Sequence, residues 1–325
     1  MIAKWVILLA IITLASFDAE CPARAQKYPT RPITIVVPNP AGGGSDTVAR
    51  VIAASMTKSL GQNVIIENVA GADGSVGAGR VARARPDGYT IGLGFLGTHV
   101  FNGAYYSLPY DVLNDFAPIS PLVRDPVLFS ARKTFPPNNL MELIAWLKAN
   151  PNKATVGRSA VSFHLLAALF RKETETQFAI IPYRGAAPAL QDLLAGQIDL
   201  LVSLPTVFLP LVRAGNIKAF AVTAEMRMAV APDIPTFAEM GLPALSHSEW
   251  SALFAPKGTP PHIVGKLNAA AVEALADPAV RSRLADLGTE IFPREKQTPE
   301  ALAAMRRTGA EKWWPLIKEF KIKPE

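Results

Sequence analysis

The segment that most constrains this chain is a short β-branched run that stops at a proline and opens into three consecutive glycines. Ile33-Thr34-Ile35-Val36-Val37 follows Pro32, and its unbroken apolar character predicts a buried strand. It ends at Pro38. The loop then carries Gly42-Gly43-Gly44, and Val48, Val51, Ile52 and Met56 recur at helical spacing from Ser45 to a stop at Gly61. The alternation continues with a strand at 63–67, a helix rich in small residues at 74–84 and a third strand at 89–95. Strands that take turns with helices argue for a parallel sheet with helices packed on its faces.

The pattern restarts after Asp125-Pro126. Helices are expected at 140–149, 164–172, 187–195 and 207–213, and strands at 154–156, 179–181, 198–202 and 217–222. One more strand, 251–255, precedes helices at 262–276, 279–287 and 299–320. A helical tail of this kind packs back on the first unit. The expected division is therefore 26–125 plus 250–325 as one lobe and 126–249 as the other, with chain crossings near 120–130 and 245–255.

Bulk properties narrow the function. The 325 residues are 50% apolar and 18% charged, which suits two globular units and excludes disorder. The formal charge is +6, but its lysines and arginines are scattered. A nucleic-acid binder would gather them in a stripe, so a generally basic surface is expected, with no nucleic-acid partner. Residues 1–25 read as a signal peptide: Lys4, an apolar run over 5–17, and the small-x-small site Ala23-Arg24-Ala25, with cleavage before Gln26. Asp18 and Glu20 disfavour lipidation of Cys21, the only cysteine. No later run is long and apolar enough to span a bilayer, so a soluble periplasmic product is expected.

Chemistry concentrates at strand-to-helix turns. In Gly42-Gly43-Gly44-Ser45-Asp46, glycines allow close approach of a ligand, and the helix start offers unpaired amides and a positive dipole end. A structural loop, with Ser45 or Asp46 as cap and Arg50 paired to Asp46, is the other reading. It is not a nucleotide loop, because no Gly-Lys-Ser/Thr follows. Gly71-Ala72-Asp73-Gly74-Ser75-Val76-Gly77 fails dinucleotide spacing and reads as tight packing. In Tyr183-Arg184-Gly185, Tyr183 could present a ring and hydroxyl and Arg184 could pair with a carboxylate; packing and surface roles are equally open. The chain has 4 histidines, and no HExxH, CxxC or GxSxG pattern. No metal and no cofactor are expected. A secreted hydrolase or lyase using His99 or His164 is the enzyme alternative; the closeness of Ser159, Ser162 and His164 in sequence is common by chance and does not make a triad.

Taken together, YPTRPITIVVPNPAGGGSDTVAR (28–50), LGQNVIIENVAGADGSVGAG (60–79), RPDGYTIGLG (85–94), IPYRGAAPALQDLLAGQIDLLVS (181–203) and APKGTPPHIVGKLNAA (255–270) resemble the tripartite tricarboxylate transporter substrate-binding family, the TctC-like or Bug receptors. Further matching stretches at 108–119, 142–157 and 221–243 extend the likeness over nearly the whole mature chain. The resemblance implies a type II periplasmic-binding-protein fold: two α/β lobes joined by a hinge, with the ligand cleft between them. It implies a monomeric receptor, not an enzyme, that captures a small carboxylate or amino acid and hands it to the permease subunits of a tripartite transporter. A ligand-loaded sensor for a signalling protein is a third reading. Matched residue by residue, the ligand loop spans Asn39, Ala41, Gly42, Gly43, Gly44, Ser45 and Asp46. Thr98 and His99 follow the third strand, Ser159 and Ser162 fall in a glycine/serine loop, Tyr183, Arg184 and Gly185 match a Tyr-Lys/Arg-Gly turn, and Ser203 ends a strand. Asn39 stands where the family more often has an aromatic residue, and 157–164 looks shorter than the family loop and lacks its internal glycines.

Overall fold

The computed structural model describes residues 28–320, so the expected leader and its cleavage site lie outside the described residues. Two sheets organise the chain. In the first, β1 (Ile33–Val37) lies between β2 (Val64–Asn68) and β3 (Thr90–Phe95), all parallel. Each of these strands feeds a helical segment. Strand β1 leads through the glycine loop to α1 (Gly44–Leu60), and β2 leads to α2 (Ser75–Ala82). Strand β3 leads to a π-helical turn, Gly97–Phe101, continued by α3 (Asn102–Tyr105). Gly61 closes α1 in the left-handed region at φ +65°, donating its N–H to the Thr57 carbonyl.

The sheet is mixed rather than wholly parallel. Antiparallel β10 (Ser248–Pro256) joins β3, and β4 (Phe116–Pro126) and β11 (Glu290–Ile291) extend the far edge. Prolines at 118, 121 and 126 hide β4 from a pattern reading. Proline removes a ladder donor and is confined to edges and bulges. Here Pro118 and Pro121 flank the register shifts against β10, and β11 pairs only with Val123 and Arg124, so no strand on that side asks these prolines for a donor.

The second sheet has the order β7-β6-β8-β5-β9. Strand β6 (Thr155–Arg158) pairs in parallel with β7 (Ala179–Pro182) and β8 (Leu200–Ser203), while β5 (Leu128–Arg132) runs antiparallel to β8 and β9 (Ile217–Val222). Its helices are α4 (Leu140–Ala149), α5 (Val161–Thr174), α6 (Ala186–Leu194) and α7 (Pro205–Arg213). Helices α8 (Pro261–Ala276), α9 (Pro278–Asp286) and α10 (Pro299–Glu319) complete the chain. Each sheet has its own core. Ile33, Ile35, Ile91 and Leu253 pack with α1 and α8 around the first, and Phe129, Val156, Phe170 and Phe237 gather around the second. Burying each such side chain contributes about 1.5–3 kcal/mol. A further cluster bridges them, in which Val161 and Leu165 of α5 meet Leu96, Val100 and Trp313.

The chain passes between the sheets with little slack. Only Val127 separates β4 from β5. The return passage is tied to it by Thr223, which is fully buried. The Thr223 hydroxyl accepts from the Val127 N–H at 2.8 Å and donates to the His247 carbonyl at 2.5 Å. The Thr223 N–H donates to the Val127 carbonyl at 3.0 Å, and the His247 N–H to the Thr223 carbonyl at 2.8 Å.

Candidate ligand-binding site

Parallel strands bring their C-terminal ends, and the helix starts that follow, to one edge of a sheet. In this chain both sheets turn that edge toward a shared cavity of about 250 Å³. Its wall includes Gly43, Gly44 and Ser45 at the start of α1, and Ala160, Val161 and Ser162 at the start of α5. Gly185, Ala186 and Ala187 add the start of α6, and Ser203 and Leu204 the approach to α7.

Some helix starts elsewhere carry side-chain caps, although that of α8, behind Pro260, does not. Away from the cavity, Asn139, Asp277 and Thr298 each accept a first-turn N–H into their side chains. The four cavity-facing N-cap residues, Gly43, Ala160, Gly185 and Leu204, provide no side-chain cap. Uncapped first-turn amides and a dipole end of roughly half a positive charge form an anion-binding surface. Pro188 and Pro205 remove one donor each from α6 and α7, so α1 and α5 are the better endowed.

The glycine loop is held from beneath. Gly42 sits at φ +83° and donates its N–H to the Asp46 carboxylate at 3.0 Å. Asp46 also accepts from Arg50 at 2.9 Å and from the Asn68 amide at 2.9 Å. Burial would raise the Asp46 carboxyl, but the hydrogen bonds from Arg50, Gly42 and Asn68 hold it below its ordinary range. The Asn68 amide donates as well to the Asn39 carbonyl at 3.1 Å, and the Asn39 amide donates to Ser45 Oγ at 3.1 Å. This network fixes the loop's shape and leaves Gly43 and Gly44 facing the cavity.

Of the residues singled out in the sequence, Asn39, Ala41, Gly43, Gly44, Ser45, Thr98, Ser159, Ser162, Arg184, Gly185 and Ser203 come together on the cavity wall. Four do not. Gly42 and Asp46 support the loop from behind. Tyr183 donates its hydroxyl to Asp192 at 2.7 Å and lines an adjoining chamber of about 710 Å³, shared by Asn39, Pro40, Ser159 and Arg184. His99 is 1% exposed, stacked 4.0 Å from the Phe254 ring, with Nδ1 at 2.8 Å from the Thr98 hydroxyl. Burial, helped by Arg306, holds its imidazole neutral, well below the usual histidine range. The π-helical turn explains the placement: Thr98 and Asn102 reach the cavity, while His99 is rotated into the core. His164, in the first turns of α5, is pushed down to about 4 by burial and by Arg158 and Arg171. Among the described residues, no three His, Cys, Asp or Glu side chains gather as a metal cage.

The site also holds residues that the sequence reading passed over. Asp125 and Glu249 lie directly opposite each other on β4 and β10, 3% and 7% exposed, in the cavity wall where the chain crosses between sheets. Burial pushes the Asp125 carboxyl up to about 7, with Glu249 and Glu290 adding to the rise; the Thr289 hydroxyl, donating at 2.7 Å, opposes it. Glu249 faces His247 Nε2 at 3.1 Å. Trp250 and Ser251 follow on the same strand. Asn102 is fully buried on the wall. Its amide donates to the Asp73 carbonyl at 3.0 Å and to Ser75 Oγ at 2.8 Å, while its Oδ1 has no partner. Asp73 of the first lobe lies 3.8 Å from Arg158 of the second and accepts from the Tyr106 hydroxyl at 2.7 Å. The one available signal for the acids was the Asp125-Pro126 break, because a chain crossing must pass the floor of an inter-lobe cleft.

Comparison with known proteins agrees with this architecture. Residues 48–322 match the family described as the tripartite tricarboxylate transporter family receptor. A protein from Agrobacterium vitis, named for the TAR-I ttuE-ttuC' intergenic region, is 38% identical over 322 residues, 98% of this chain and 92% of that protein. Among solved structures, the periplasmic binding protein BugD is 37% identical, with a TM-score of 0.86 over 92% of this chain and 100% of its own. MatC from Rhodopseudomonas palustris, solved with bound malate, is 39% identical, with a TM-score of 0.84 over 89% of this chain and 100% of its own.

Proposed function

The chain belongs to the tripartite tricarboxylate transporter receptor family and is a solute-binding protein rather than an enzyme, and from that premise we propose that it captures a small carboxylate outside the cytoplasm and delivers it to the permease of a tripartite transporter. The observation that carries this reading is the set of uncapped helix starts around one cavity. A carboxylate placed there accepts first-turn N–H groups from both lobes and meets the positive ends of their dipoles. The malate held by MatC is a ligand of that chemical class.

Capture of this kind couples to closure. A ligand that touches the α1 loop and the α5 and α6 starts together binds the shut cleft better than the open one, and that difference in affinity is what shifts the equilibrium. The units that move are 26–125 with 250–325, and 126–249, turning about Val127 and Thr223. The leader would direct export and be removed after Ala25, and the receptor would work as a monomer whose closed face the permease reads.

The test is a calorimetric screen of mono-, di- and tricarboxylates and amino acids against ligand-stripped protein. Saturable binding by at least one carboxylate, accompanied by a smaller radius of gyration in solution scattering, is the expected result. Binding confined to sugars, metals or nucleotides would overturn the proposal.

A further inference from the structure

We propose that Asp73 and Arg158 form a latch between the two lobes, a contact of protein with protein that favours the shut cleft whether or not a solute is bound. The inference rests on the lobe closure described above and goes beyond it, because the ligand then need not supply all of the shut state's advantage.

The two side chains come from different sheets. Asp73 lies in the turn between β2 and α2, and Arg158 ends β6. Their charged atoms approach to 3.8 Å, with the side chains 16% and 5% exposed. The acid is presented rigidly. Ala72 and Asp73 sit at φ +44° and +49°, a left-handed conformation that residues other than glycine keep only where their surroundings impose it. Here the Tyr106 hydroxyl donates to the Asp73 carboxylate at 2.7 Å, and the Asn102 amide donates to the Asp73 carbonyl at 3.0 Å. Across the cleft, the Tyr183 N–H donates to the Arg158 carbonyl at 2.8 Å and fixes the end of its strand.

Asp73, Pro40 and Gly185 each line both the 250 Å³ cavity and the 710 Å³ chamber, so the latch stands where the two spaces meet. A second contact joins the sheets at this boundary: a Cβ built on Gly185 would come within 3.7 Å of the Pro40 ring. That contact is apolar and limits how far the lobes approach. The ion pair adds a preference for the approached position.

An exposed ion pair is worth little, and a buried one can lose in desolvation what it gains in attraction. The latch acts through the cost of losing one partner. With Asp73 neutral, the shut cleft would enclose the Arg158 charge without this carboxylate, whereas the open cleft gives that charge to water.

The experiment measures the distance between the lobes in ligand-free protein. Cys21→Ser removes the chain's one native cysteine, and Ile65→Cys and Leu194→Cys place a spin label at an exposed position on each lobe. Pulsed electron paramagnetic resonance should show a shut population, and Asp73→Asn should lower the ratio of shut to open roughly ten-fold. Asparagine tolerates the left-handed backbone and keeps an oxygen for the Tyr106 hydroxyl, so this variant removes the charge and spares the turn. Arg158→Gln should have the same effect, and Asp73→Asn should add almost nothing to it. An unchanged distribution in Asp73→Asn overturns the latch. Fully additive effects in the double variant also overturn it, since the two residues would then act separately. Malate and succinate, titrated into the labelled native protein, separate this inference from closure itself. Distances that respond to either acid but not to Asp73→Asn overturn the latch alone; distances that respond to neither overturn closure with it.

Discussion

Replacing Asp125 by asparagine in the ligand-free protein should stabilise the fold, and only at the alkaline side of a defined pH window. The native carboxyl is pushed from 3.8 to about 7, chiefly by desolvation, and the residue is 3% exposed, so little solvent screening applies. A carboxyl raised in the folded state holds its proton there after the unfolded chain has lost it. Below the unfolded value of 3.8 both states are protonated and nothing is lost. As pH climbs toward about 7 the unfolded state is favoured progressively, and above that the loss is complete. At about 1.4 kcal/mol per pH unit, the full window is worth on the order of 4 kcal/mol. Asparagine keeps an oxygen for the Thr289 hydroxyl and cannot ionise, so it escapes the penalty. Urea unfolding of both proteins at pH 4, 6 and 8 should show near-equal stabilities at the acid end and a gap opening toward pH 8. A gap that stays constant across the three pH values would refute the reasoning, because the variant would then act through packing and not through the charge.

Gly43→Val should weaken carboxylate binding by roughly ten-fold or more while the apo melting temperature stays close to native. Gly43 sits at φ −79° on the cavity wall, and an added Cβ would meet only the Pro40 carbonyl at 3.7 Å, so the backbone tolerates a side chain there; native affinity in this variant would make the loop merely structural. Thr223→Val should lower stability by about 2 kcal/mol in urea unfolding, since it leaves the buried Val127 N–H without its acceptor. Asp73→Asn weakens the 3.8 Å pairing with Arg158 across the cleft, and solution scattering of the liganded protein should show a larger open fraction at subsaturating ligand. Arg184→Ala should raise the dissociation constant measured by calorimetry, and an unchanged constant would assign Arg184 to the surface.

The parallel half of each sheet was legible because β-branched runs such as Ile33 to Val37 stop at glycine or proline and hand over to a 3.6-residue period. The long crossing strand β4 was not, because Pro118, Pro121 and Pro126 argue locally against a strand, and only the pairing with β10, bulged beside Pro118 and Pro121, accommodates them. The site divides along the same line. Glycine loops announce close backbone approach, so the α1 and α6 starts could be named from sequence. Asp125, Glu249 and Asn102 carry no local motif; the cavity exists only once β4 and β10 pair and the π-helical turn sets its phase. That turn is also why Thr98 and His99, adjacent in sequence, part company, one to the cavity and one against Phe254.

The division suggests how one fold can keep a receptor's general chemistry while its choice of ligand changes. On the proposed reading, anion recognition rests on backbone amides at helix starts, fixed by strand direction and by supports such as Asp46 that lie behind the loop. Few single side-chain changes can remove it without disturbing the loops themselves. On the same reading, discrimination falls to the cavity-wall side chains carried by the crossing strands, the π-helical turn and the start of α3: Asp125, Glu249, Trp250, Thr98 and Asn102. Those on the crossing strands also sit beside Val127 and Thr223, where the chain passes between the two sheets.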